Sequence, residues 1–94
     1  MSCGPLQTRS DLDNWMIATL EIAWHMQVKV KMATKLSAPP PNGPGLSTGG
    51  IMTLGYTLAS GFNMHCQTNL NATDFFGAVT VKDLTDIIAT AISV

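Results

Sequence analysis

Residues 45–62 read GLSTGGIMTLGYTLASGF, and this stretch decides the fold. Its large apolar residues recur at spacings of three, four and four positions: Ile51, Leu54, Leu58 and Phe62. Such spacing places them on one face of an α-helix. Ser47 and Thr48 stand just before this face, where a hydroxyl can accept hydrogen bonds from the free amides of a first turn. The pattern predicts a capped, buried helix over 47–62.

The same region carries no formal charge, because Asp, Glu, Lys and Arg are all missing between Leu36 and Thr73. A solvated helix normally displays charged residues, so a partner or a neighbouring domain could cover this one. Ser, Thr and Asn side chains can also provide an uncharged exterior in water. Both interpretations remain open at the level of sequence.

Length and charge narrow the functional classes. With 94 residues and a net charge of −1, the chain suits one domain and has no basic surface for nucleic acid. Its apolar runs are too short to span a bilayer, and its first twenty residues do not resemble a secretory signal. We therefore expect a soluble, cytoplasmic protein with no nucleic-acid or membrane partner. Cys3 and Cys66 are expected to be free thiols, since Cys3 lies near a terminus.

The segments before residue 47 predict one helix and a long connection. Residues 1–9 show no periodicity and are expected to form a disordered leader, which leaves 10–94 as the folded domain. Ser10 and Asp13 have the spacing of a capping box, which predicts a helix near 11–27. Residues 28–32 alternate like a strand but lack a partner strand, so we expect an extended connector. The prolines and glycines of 37–45 predict a loop.

The segments after residue 62 predict a short helix and a long one. Residues 73–76, followed by Gly77, favour a single helical turn. Thr80 and Asp83 form a second capping-box pattern ahead of a helix over 81–92. The fold class is thus all-α: a four-helix bundle with three long helices and one short. Its expected core combines these residues with Trp15 or Trp24: Leu54, Leu58, Leu84 and Ile88.

This order of elements resembles the acyl carrier protein family, particularly carrier domains of polyketide synthases, over roughly residues 10–92. In that family the second long helix opens with Gly-Leu-Asp-Ser-Leu, and the serine carries a phosphopantetheine arm. The corresponding residues here are Gly45-Leu46-Ser47-Thr48-Gly49. Residues 74–76 and 80–84 resemble the family's third-helix turn and the start of its last helix. The resemblance therefore implies a carrier-like domain of a polyketide synthase assembly line.

The attachment motif differs from the family pattern at its centre. Ser47 replaces the aspartate, Thr48 replaces the serine and Gly49 replaces a leucine. The Thr48 hydroxyl is secondary and β-branched, so it is a more hindered acceptor. Shifting the match to Ser47 restores a primary hydroxyl but turns it about 100° around the helix axis. Acidic residues that the family displays to its partner enzymes are missing from this helix as well.

Two functions follow from the resemblance. The first is a degenerate, non-catalytic carrier domain that needs no cofactor and docks to synthase domains through Leu46, Gly49, Gly50 and Met52. The second is a working carrier that holds phosphopantetheine on Thr48 or, less favourably, on Ser47. An enzymatic or metal-binding alternative would use His25, His65 and Cys66, but His25 has no partner at the helical spacing of zinc motifs.

Overall fold

The computed structural model describes residues 3–94, and over them helices are present and strands are not, which confirms the all-α fold class. Three α-helices are present: α1 (Arg9–Ala23), α2 (Thr48–Cys66) and α3 (Val81–Ile92). A 3₁₀ helix at Ala72–Phe75 lies between α2 and α3 and packs against both. Helix α1 packs against α3.

Helix α2 starts where the sequence predicts and continues a turn further, to Cys66. Of its predicted apolar face, Leu58 and Phe62 are buried and Ile51 and Leu54 are half-buried. Cys66 extends this face because it follows Phe62 by four positions. The helix ends at Gln67, which adopts a left-handed conformation with φ of 55°.

Helix α1 starts two residues earlier than predicted and ends earlier as well. Thr8, not Ser10, is the N-cap: its side chain accepts a hydrogen bond from the amide of Asp11, whose carboxylate accepts from the amide of Thr8 at 3.1 Å. The predicted Ser10–Asp13 capping box is therefore wrong. His25 and Met26 have positive φ angles of 55° and 60°, so the helical path stops before them.

Helix α3 agrees with the prediction at both ends, and the Thr80–Asp83 capping box is confirmed. The Asp83 carboxylate accepts hydrogen bonds from the amides of Val79 and Thr80 at 2.8 and 3.0 Å, and these bonds lower its pKa. Helix α3 is also joined to α1 by an ion pair of 2.6 Å between Arg9 and Asp86. Packing and charge thus act together at the α1–α3 contact.

The core is centred on the 3₁₀ helix. Phe75 is fully buried, and its ring lies against α2 at Gly55, where an added Cβ would stand only 2.9 Å from Phe75 Cβ. Leu58, Leu84 and Ile88 are buried as predicted, whereas Leu54 is half-buried. The predicted aromatic members are less buried: Trp15 is 36% exposed and Trp24 is half-buried.

The connection between α1 and α2 is irregular, as predicted, but backbone hydrogen bonds and buried side chains attach it to the rest of the protein. Its segment 32–36 runs beside residues 79–82: Leu36 N donates to Val79 O, and Val81 N donates to Thr34 O. The side chains of Val28, Val30 and Leu36 are buried. The connector therefore supplies apolar side chains to the core and backbone acceptors to the start of α3.

The N-terminal segment differs from the expected disordered leader wherever the structure describes it; residues 1 and 2 lie outside the described range. Cys3 forms a disulfide with Cys66, with 5.1 Å between their Cα atoms, and Leu6 is buried. The expectation of free thiols was wrong because the end of α2 returns to the start of the chain. Residues 3–6 thus cover part of α2.

We predict opposite effects of alanine at two glycines of α2. Gly55→Ala should lower the free energy of unfolding by about 1–3 kcal/mol, since the new methyl group would overpack against Phe75. Gly61→Ala is the matched control: its Cβ would meet nothing within 4 Å, so the better helix propensity of alanine should add up to about 1 kcal/mol. Urea unfolding of both variants measures the difference. Equal midpoints for the two would contradict the close contact at Gly55.

Candidate attachment site and docking surface

Ser47 caps the start of α2. Its φ and ψ angles of −75° and 172° are extended, and its side-chain oxygen accepts a hydrogen bond from the amide of Gly50 at 3.1 Å. This geometry satisfies one of the free amides of the first turn. The residue is exposed, so its hydroxyl group is both a structural cap and accessible to solvent.

Thr48 is the first residue of α2 and is also exposed. The two candidate attachment hydroxyls therefore lie side by side at one helix end. The first turn of α2 contains no acidic residue. A carboxylate at a helix start would interact favourably with the helix dipole, and here the serine cap takes that position without supplying a charge.

The predicted partner-binding residues surround this helix start, and we call them the neutral surface: Leu46, Gly49, Gly50 and Met52. Leu46 is held in place by a 2.9 Å hydrogen bond from its amide to Leu36 O. Its side chain approaches Gly50 so closely that a Cβ there would lie 3.4 Å away. Gly49 is exposed, Met52 is 43% exposed, and Leu46 and Gly50 are half-buried. The structure thus brings all four residues together around the first turn.

Tyr56 continues the neutral surface and was missed by the sequence analysis. It follows Met52 by one helical turn, and its side chain is 66% exposed. The i, i+4 spacing from Met52 would have placed it on that side of the helix. An exposed tyrosine and an exposed methionine on adjacent turns make this side of α2 apolar as well as uncharged.

Threonine hydroxyls along the same helix bond back to the helix itself. Thr53 Oγ1 donates to Gly49 O and Thr57 Oγ1 donates to Thr53 O, each at 3.0 Å. These hydroxyls therefore offer few free donors to a partner. Contact with this side of α2 would depend on shape and apolar area more than on side-chain hydrogen bonds.

The residues of the enzymatic alternative do not form a site. Over residues 3–94, no three side chains of His, Cys, Asp or Glu come close enough together to hold a metal ion. Cys66 is bonded to Cys3, so the disulfide occupies the sulfur that a thiolate mechanism would need. His25 and His65 are both exposed.

Comparisons of the chain with protein-family models, with curated proteins and with solved structures give no match. Within the described part of the chain, the helices are too short or too polar to cross a membrane.

We predict that Ser47→Ala lowers the free energy of unfolding by about 0.5–2 kcal/mol, because the amide of Gly50 loses its acceptor. Thr48→Ala serves as the neighbouring control, and we expect it to stay within about 0.5 kcal/mol of the unmutated chain. Urea unfolding followed by circular dichroism gives both values. If Ser47→Ala proves as mild as Thr48→Ala, Ser47 does not act as a cap in solution.

Proposed function

We propose that the chain is a degenerate acyl-carrier-like module of a polyketide synthase assembly line that docks to a neighbouring domain instead of carrying an acyl chain. The observation that carries this proposal is the arrangement of hydroxyl groups, without any carboxylate, in the first turn of α2. Ser47 acts as its cap, and the turn has no carboxylate. Thr48, the next residue, is the one that the resemblance aligns with the modified serine.

The order of elements supports the carrier-like part of the proposal. A long helix, a tied irregular connection, a second long helix, a short 3₁₀ helix and a final helix follow one another along the chain. This is the element order implied by the resemblance to carrier domains. In this interpretation the 3₁₀ helix at Ala72–Phe75 corresponds to the short third helix of the four-helix bundle.

The loss of loading follows from two chemical differences. Inside the modifying transferase a hydroxyl must attack the pyrophosphate phosphorus of coenzyme A that bears pantetheine, which breaks the P–O–P bond and releases adenosine 3′,5′-bisphosphate. The β-branched Thr48 enters such a site with a methyl group beside its oxygen. The same helix start lacks the negative charge that would attract a basic transferase surface. We therefore expect slow recognition and slow transfer.

The docking part rests on the neutral surface together with exposed Tyr56. These residues lie on a helix without any formal charge, so partner binding would draw on apolar contact. The partner we propose is another domain of the same synthase or module. The working carrier, modified at Thr48 or less favourably at Ser47, is the alternative.

The loading test uses coenzyme A, a promiscuous phosphopantetheinyl transferase and intact-mass analysis. We expect the unmutated chain to keep its mass, while the double variant Ser47→Asp/Thr48→Ser gains one phosphopantetheine group because it regains both the charge and the primary hydroxyl. Thr48→Ser alone is the control, and we expect it to load less than the double variant. A full mass shift on the unmutated chain that is lost in Thr48→Ala would replace this proposal with the working carrier.

The docking test measures binding to the domains encoded next to this one. We expect an affinity that changes by less than about threefold between 0.05 and 0.5 M salt, since screening acts on charges that this surface lacks. Met52→Glu should weaken binding about tenfold or more by burying a carboxylate. Ser60→Glu is the control, at an exposed position of α2 outside the neutral surface. Strong salt dependence, or an equal effect of the two variants, would exclude docking through the neutral surface.

A further inference from the structure

A cavity of about 400 Å³ lies at the opposite end of α2 from the attachment site. Its walls come from three parts of the chain: Leu6 of the N-terminal segment, Trp15 of α1, and Leu58 and Phe62 of α2. The Cys3–Cys66 disulfide contributes to the wall where the N-terminal segment meets α2. Trp15 and Phe62 meet edge to face there, with 5.3 Å between ring centroids.

The lining selects for an uncharged ligand. None of the residues around the cavity is Asp, Glu, Lys or Arg. Of its polar members, Thr57 already donates its hydroxyl to Thr53 O, Thr19 is half-buried, and His65 is exposed to solvent. A charged molecule would lose part of its hydration there without gaining a carboxylate, lysine or arginine partner. Apolar and aromatic walls with few polar groups are typical of small-molecule sites.

The size of the cavity sets the size of the ligand. An apolar cavity of about 150 Å³ is enough to hold benzene in an engineered protein. In proportion to that benzene-binding cavity, 400 Å³ accommodates on the order of a dozen non-hydrogen atoms. A bicyclic aromatic molecule or a short branched hydrocarbon chain has this size.

Gly61 leaves part of this space open. It lines the cavity within the body of α2, where glycine costs about 1 kcal/mol relative to alanine. An added Cβ at Gly61 would meet no atom within 4 Å. At Gly55, by contrast, Phe75 occupies the space where a side chain would lie. Because Gly61 lines the cavity and has open space beside it, a larger side chain at position 61 is expected to extend into the cavity.

The disulfide fixes the outer wall. Residues 3–6 form a tight turn closed by a 2.9 Å hydrogen bond from Leu6 N to Cys3 O, and Leu6 is only 6% exposed. One end of this turn is bonded covalently to α2 through Cys66. Without that bond, residues 3–6 would be held against the cavity by the burial of Leu6, by their own turn and by the hydrogen bond from Gln7 Nε2 to Gly4 O.

From these observations we propose that the cavity between the N-terminal segment, α1 and the C-terminal half of α2 is a binding site for a neutral, apolar small molecule, with the Cys3–Cys66 disulfide holding its outer wall. The site is separate from Ser47 and Thr48 and does not depend on the carrier-like proposal. It needs no charge, metal or covalent step. Binding would follow from the burial of apolar surface.

The test is a titration of the oxidised protein with 1-fluoronaphthalene, a neutral bicyclic aromatic molecule, followed by ¹⁹F NMR of the ligand and by ¹H–¹⁵N spectra of the protein. We expect a saturable change in the ligand signal and amide shifts centred on residues 57–66. Gly61→Leu should lower the affinity at least tenfold, because the new side chain fills the cavity. Ser60→Leu is the control, since it adds the same group at an exposed neighbouring position, and its affinity should stay within about twofold.

Folding of each variant is checked by circular dichroism and urea unfolding, so that lost binding in Gly61→Leu is read only from a folded protein. If Gly61→Leu unfolds, Gly61→Ala replaces it and should weaken binding about threefold or more. The double variant Cys3→Ser/Cys66→Ser should bind at least about fivefold more weakly. Absence of saturable binding, or equal affinity in the Gly61 and Ser60 variants, would overturn the site. Unchanged affinity in the double serine variant would overturn the role of the disulfide.

Discussion

The contact between Phe75 and the backbone of α2 at Gly55 is the constraint on which the arrangement of the helices depends. Only a residue without a side chain lets Phe75 come this close, and Phe75 is fully buried there. The 3₁₀ helix that carries Phe75 touches α3 on its other side. The short helix that carries Phe75 therefore connects α2 with α3, while α1 contacts α3 directly and meets α2 through the Trp15–Phe62 ring pair.

Charge is distributed unevenly around this core. Arg9 bonds to Asp13 and Asp86, and Lys82 bonds to Asp86, so the ion pairs of the described chain lie on α1 and α3. Pairing lowers the pKa of Asp86, chiefly through its bond to Lys82. Helix α2 takes no part in this network. Its first turn, its exposed Met52 and Tyr56, and the cavity beside Gly61 are all uncharged, which favours apolar ligands and partners at both ends of one helix.

Local patterns predicted the helices well where one signal was clear. The apolar spacing in α2 and the Thr80–Asp83 box at α3 needed no knowledge of the rest of the fold. At α1 two capping patterns overlap, Thr8 with Asp11 and Ser10 with Asp13. The earlier one forms, and Asp13 instead pairs with Arg9 one turn before it. The helix start at Arg9 is also stabilised by the contact of Arg9 with Asp86, 77 positions away. A contact over that distance cannot be predicted from the local sequence pattern.

The part of the candidate site at the start of α2 was predictable from local sequence patterns in the same way. The positions of Ser47, Thr48 and the neutral surface follow from the start of α2, which periodicity fixes. The cavity and the disulfide were not predictable, because both require the N-terminal segment to return to the end of α2. Glycine spacing along α2 also did not distinguish Gly55, which is packed against Phe75, from Gly61, which faces open space.

The disulfide also gives the chain an unusual topology. Cys3 and Cys66 are separated by 63 positions, so the bond closes a covalent ring that contains α1, the long connection and α2. The 3₁₀ helix and α3 lie outside this ring as a linear tail. In the chain-entropy description, a ring of this size removes about 4 kcal/mol of conformational freedom from the unfolded state. Disulfides are rare in the reducing cytosol, so in the expected cytoplasmic location that contribution would be lost and the core around Phe75 would have to maintain the fold alone.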